Sequence, residues 1–262
     1  MLRYARLLGT QLRASLLLFM QYRVDFFIEL ALSLFWIAAS LVPLVVLYSH
    51  RASVAGWTWP EALLVVAWFT CLKGVLEGGI QPALEAVVEH IRRGTLDFLL
   101  LKPVDAQFMV STARFELSKA GDVIAGVGMA VYALRLLGRV PGPGAVLATA
   151  ALLAGAVLIL YSIWIVVVSF AFYVVKVDNL SFLFASIYDA ARWPASIYRG
   201  VLSFVFTFVI PLAVMTTFPA LAILDRLEPG RLIGALVGAL ALAALARLVW
   251  RGALRRYTSA GG

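Results

Sequence analysis

Residues 92–105 read RRGTLDFLLLKPVD, a polar-flanked segment set between long apolar runs. Thr95 is placed to cap a short helix after Gly94. Leu96, Phe98, Leu99, Leu100 and Leu101 supply more apolar surface than a solvated loop needs. Such a surface must be covered by lipid, by the chain's own helices or by a partner. Pro103 then ends the helix and redirects the chain. Just upstream, Pro82 is a good first-turn residue for a short helix over 83–93. That helix carries Glu85 and Glu89 early and Arg92 and Arg93 late, with Gly94 placed to close it, an order that suits the helix dipole.

On either side the chain is overwhelmingly apolar. Of its 262 residues 63% are hydrophobic and 14% charged, and the mean hydropathy is +0.96, far from the composition of soluble domains. The expected fold is all-α, a polytopic membrane protein with one membrane domain over 1–262. Six transmembrane helices fit, since each needs about 20 residues to cross the hydrocarbon. They fall at about 26–48, 62–80, 119–137, 146–175, 201–221 and 232–250. A β-barrel is excluded because the apolar runs do not alternate with period two. Residues 1–25 suit an amphipathic helix lying on the membrane surface, with Arg3, Arg6, Arg13 and Arg23 among Leu, Tyr and Phe. A cleaved signal peptide is disfavoured, because the run over 26–48 is too long and lacks a small-residue cleavage pattern.

Charge bias orients the spans. With both termini inside, inner segments hold 16 of the 22 Lys and Arg residues, outer segments hold 5, and Lys73 lies within a span. This follows the positive-inside rule, placing the N- and C-termini, the 81–118 loop and a polar loop over 176–200 in the cytoplasm. The net charge of +8 flanks apolar spans and does not line a soluble face, so membrane lipids are the expected partners and nucleic acid is not.

Chemistry-bearing motifs are few. Cys71 is the only cysteine, His50 and His90 fall in different loops, and no metal site is indicated. The chain has no G-x-x-x-x-G-K-[ST] phosphate loop, no H-E-x-x-H, no G-x-S-x-G and no acidic cluster of the D-D-x-x-D kind. Glu29, Lys73 and Glu77 lie within spans, where charge is costly. Lys73 and Glu77 are four apart on one helix face and within pairing range. They line a substrate path or form an intramembrane structural pair. Pro211 and Pro219 kink or break the fifth span. Trp36, Trp68, Phe69, Phe170, Phe172 and Tyr173 face a cargo or pack among the helices.

The order Gly94, Thr95, Leu96, Asp97, Leu99, Leu100, Pro103, Val104 resembles the cytoplasmic loop of type-2 ABC transporter permeases, the export-type membrane subunits. A second segment, ARWPASIYRGVLSFVFTFVIPLAVMTTFPA at 191–220, is similar to one typical of a prokaryotic branch, with Trp193 where Tyr is more usual. The resemblance implies a non-catalytic permease working with a second permease, identical or related, in the bacterial cytoplasmic (inner) membrane. It implies a cytoplasmic P-loop ATPase subunit in trans that holds ATP and magnesium, no cofactor being bound by this chain. The implied ATPase contact is Glu85, Glu89, Arg92, Arg93, Gly94, Thr95, Leu96, Asp97, Leu100 and Pro103, on a coupling helix between spans 2 and 3. A re-entrant segment is implied at 218–228. Two other classes stay open. An ion-driven secondary transporter would want broken helices in matching halves, and only the fifth span is proline-interrupted. A membrane-embedded lipid-modifying enzyme would want acidic or His residues clustered at one depth.

Overall fold

The chain folds as helices joined by short turns in a computed structural model that describes residues 2–21, 23–173, 186, 188–198, 200, 201, 206 and 211–256. Helix α1 (Leu2–Gln21) precedes α2 (Arg23–His50). A two-residue hairpin follows, β1 (Ser53–Val54) against β2 (Trp57–Thr58). Ala55 and Gly56 turn it with φ of 49° and 83°, the left-handed pair that a tight hairpin requires. Helix α3 (Trp59–Val75) starts where Glu61 accepts the Thr58 N–H at 2.9 Å. A π turn over Leu76–Ile80 carries it into α4 (Gln81–Arg92), the Gln81 N–H reaching back to the Leu76 carbonyl. Two short helices come next, α5 (Asp97–Leu100) and α6 (Ala106–Ser111). A 3-10 turn leads into α7 (Ala120–Leu136), and α8 (Pro143–Ser169) follows. Later come a π turn at Ala213–Thr217, α9 (Phe218–Ile223) and α10 (Pro229–Leu254).

Among the described residues five stretches are long and apolar enough to cross a membrane: Val24–His50, Trp59–Arg92, Leu117–Leu136, Pro143–Phe172 and Pro229–Leu254. The molecule is therefore an all-α, multi-pass membrane protein. These stretches overlap the segments expected at 26–48, 62–80, 119–137, 146–175 and 232–250. Residues 202–205 and 207–210 of the span expected at 201–221 lie outside the described residues, and its far end lies in the shorter apolar helix Ala213–Ile223.

Helix α3 is the centre, with 72% of its apolar window buried against 6% for α2. It packs on α7 through small residues. A Cβ built on Gly126 would stand 2.5 Å from Cys71 Sγ and 2.7 Å from the Ala67 carbonyl, so only glycine admits this approach of the two backbones. Without water to drive association, such close packing is what holds helices together in lipid. Helix α8 lies against α10 around Gly155 and Ala239. One apolar cluster gathers near the Arg92 end of the α3–α4 rod and another near its Trp59 end.

The polar inner loop expected over 176–200 is corrected by the described part of that segment. Tyr188 stacks on Phe69 of α3 at 5.2 Å between ring centroids. Further on, Ser196 accepts a hydrogen bond from the Trp57 indole at 3.0 Å. The chain thus climbs along α3 to its Trp59 end. Thr216 and Thr217 explain how backbone is tolerated there, the first donating to the Ala191 carbonyl at 2.8 Å and the second accepting from the Ala195 N–H at 3.1 Å. Arg192 accordingly stands beside α3 and not in an inner loop.

Gly126→Ala is expected to overpack the α3–α7 seam by about 1–3 kcal/mol, lowering the thermal unfolding midpoint in detergent. Gly128→Ala, whose added carbon meets nothing within 4 Å, should leave that midpoint unchanged or slightly raised.

Candidate functional site

Residues 92–105 continue from the Arg92 end of the α3–α4 rod. Helix α4 ends in a Schellman turn, with Gly94 at φ 65°, its N–H on the Ile91 carbonyl at 3.2 Å and the Thr95 N–H on the His90 carbonyl at 2.9 Å. Thr95 therefore does not cap α5 as the sequence suggested. Its hydroxyl meets the His90 ring nitrogen at 2.8 Å and helps to finish α4, while Leu96 takes the cap position of α5. The physical reason is burial. Leu96 is fully enclosed in the core, which draws the turn inward and points Thr95 back at α4.

The leucine-rich stretch divides by face. Leu99 and Leu100 pack on the core with Leu96, whereas Phe98 and Leu101 are 70% and 80% exposed. Exposed Glu85 accepts from Gln81 at 2.7 Å, and Glu89 pairs with Arg93 at 2.5 Å, both one turn apart on α4. Arg92 and Pro103 are exposed and Asp97 is half-buried. The result is a charged helix beside two unburied apolar side chains.

A network absent from the sequence reading fastens the far end of this loop. Asp105 caps α6 by accepting the Phe108 N–H at 3.0 Å, and it also pairs with Arg247 near the end of α10. Arg247 donates to Gln107 at 2.5 Å. Gln107 in turn donates to the Tyr161 hydroxyl of α8 at 2.9 Å, and the Ser111 hydroxyl lies 2.8 Å from the same oxygen. The N-terminal helix joins here too, Tyr4 meeting Phe108 edge-on at 4.8 Å. Helix α1 and the end of α10 are thus gathered at the end of the molecule that carries the loop. Arg247 donates to Asp105, and with the α6 backbone N–H groups it holds this carboxyl below the usual carboxylate range against the opposing effect of burial.

Lys73 and Glu77 stand 3.6 Å apart, and Lys119 of the turn before α7 adds a 2.8 Å contact to Glu77. Lys119 was not singled out in the sequence, being 42 positions from Glu77. Glu29 is exposed on α2 and acts electrostatically on Lys119. It also lines a cleft of about 570 Å³ between α1, α2 and residues 113–118. Close by, the Glu116 N–H donates to the Gly78 carbonyl at 2.8 Å, a carbonyl whose helical partner four residues on is Pro82, which has no N–H. Pro211 and Pro219 bracket the π turn ahead of α9. Pro219 sits in the first turn of α9, buried, with its carbonyl 3.4 Å from the Thr149 hydroxyl.

Because the folded pKa of Asp105 is lowered, its contribution to stability is present above the ordinary carboxylate value of about 4. That contribution is lost as the pH falls from there toward the folded value. Asp105→Asn is expected to flatten this acid limb in thermal unfolding scans across pH and to lower the midpoint at neutral pH. A variant that kept the wild-type acid limb would show that other carboxylates dominate it.

Comparison with curated proteins and with solved structures gave no match. The family model described as ABC-2 family transporter protein matches residues 34–261, which takes in the α3–α4 rod, the loop, the charged residues of α3 and the Arg247 network. On that match, over nearly the whole chain, the protein belongs to the ABC-2 transporter family and is a membrane subunit of an ABC transporter.

Proposed function

We propose that the chain is the permease half of an exporter, driven by a cytoplasmic P-loop ATPase that docks on the segment from α4 to Pro103. In this reading both termini and the loop lie in the cytoplasm, the membrane is the bacterial inner membrane, and two permeases, identical or related, enclose the path. ATP and magnesium belong to the ATPase; this chain supplies the surface and the lever.

The observation that carries the reading is the pairing of Phe98 and Leu101, 70% and 80% exposed, with a helix that continues into the buried centre of the bundle. A soluble partner that covered these two side chains would bury apolar surface on an element mechanically joined to α3. Glu85, Glu89, Arg92 and Arg93 then form a charged rim, which favours docking in one register. Closure of the ATPase pair pushes α4 and α5, and the push has two outlets. One runs up the α3–α4 rod. The other passes through α6 to Tyr161 on α8 and Arg247 on α10.

Phe98→Asp combined with Leu101→Asp should leave membrane insertion intact, because neither side chain packs in the core. The pair is expected to lose about 2 kcal/mol or more of ATPase binding and to abolish transport-linked ATP hydrolysis in vesicles. Hydrolysis at the wild-type rate in the double variant would remove this surface from the docking site.

A further inference from the structure

Five ionisable groups stand along one flank of α3 below its tryptophan end. Phe69 lies ten residues into the helix, about 15 Å from Trp59 at roughly 1.5 Å per residue, near the middle of a hydrocarbon layer about 30 Å thick. Over its ring, at 5.2 Å from the centroid, sits the Arg192 guanidinium. Arg192 pairs with Asp189 at 3.5 Å. One turn further along α3 comes Lys73, with Glu77 and Lys119 after it. The side chain of Asp189 is 56% exposed and that of Lys73 is 37% exposed.

A carboxylate this exposed cannot face acyl chains without a large desolvation cost, and ionisable groups at such depth face protein or a water-filled cavity. The exposed apolar side chains of α2 and α10, Phe35 and Leu240 among them, have no such difficulty. We infer that Asp189 and Arg192, continued by Lys73, Glu77 and Lys119, form the polar wall of a water-filled translocation path at mid-membrane depth. The wall pairs two carboxylates with three cations, so it offers hydrogen bonds and ion pairs to a polar or zwitterionic portion of a substrate while remaining nearly neutral overall. This assignment rests on the transporter reading and gives it a specific lining.

The test uses single cysteines in a Cys71→Ala background, which has no other thiol. Native membranes bearing Asp189→Cys, Lys73→Cys, Phe35→Cys or Leu240→Cys are treated with a charged, water-soluble thiol reagent. The first two are expected to react at least about tenfold faster than the last two, because the reagent must leave water to reach a lipid-facing thiol. The lining is refuted if Asp189→Cys reacts no faster than Phe35→Cys yet labels fully after unfolding in dodecyl sulfate. Should Asp189→Cys fail to insert, Arg192→Cys poses the same question on the neighbouring side chain. An ATPase pull-down from the same wild-type membranes separates the two claims. A slow Asp189 thiol beside a bound ATPase overturns the lining alone, and a fast one without any ATPase upholds the lining and overturns ATP as the driving force.

Discussion

A continuous helical rod runs from Trp59 to Arg92, and the rest of the molecule is arranged about it. Lipid offers no partner for a free N–H or carbonyl, so a segment that crosses it must satisfy its own backbone. The α3–α4 rod does so through the Leu76–Ile80 π turn, where the Gln81 N–H reaches the Leu76 carbonyl, except at Pro82, which has no N–H to offer the Gly78 carbonyl. That carbonyl instead becomes the acceptor for the Glu116 N–H. The entrance to α7 is thereby tied to the midpoint of the rod. Above this point α3 is held by small-residue packing against α7, and below it α4 stays packed in the core through Leu84, Val87 and Val88 and leads into the loop.

The loop is consequently anchored at both ends and free in the middle. At its start the Schellman turn at Gly94 and the burial of Leu96 fix the exit from α4. At its finish Asp105 is held by Arg247 and by the α6 backbone. Between them Phe98 and Leu101 remain uncovered. A segment with two firm attachments and an exposed apolar crest suits the transfer of a push, because force applied at the crest reaches α3 by one attachment and α8 and α10 by the other. The charged side chains beside Phe69 sit where a movement of α3 relative to its neighbours would alter access to them.

Much of this was legible in the sequence, and the failures have local causes. Long apolar runs marked five crossing stretches, and Pro82 with Gly94 framed α4, because chain-breaking residues act through their own backbone. The role of Thr95 was misread since two caps compete for one hydroxyl, and the burial of Leu96 decides between them. Which leucines of the loop would be exposed was not readable, as a four-residue helix is too short to display a period. The link between Asp105 and Arg247 joins residues 142 positions apart, beyond any local pattern, although an arginine inside the last third of an apolar helix was a signal. Polar composition over 176–200 suggested an inner loop. Threonine hydroxyls and an aromatic stack instead accommodate its described part along α3. The first half of the span expected at 201–221 falls mostly on residues outside the described set.

The proposed coupling requires an ATPase partner at the loop. The direct measurement is to extract the intact chain, tagged at its C-terminus, in mild detergent from its own membrane and to weigh the complex by native mass spectrometry. Two permease chains with two copies of a P-loop ATPase, the ATPase cross-linking to a photoreactive residue at position 101, is the predicted result. A chain that emerges without any ATPase, under conditions that keep other ABC complexes whole, would contradict the account.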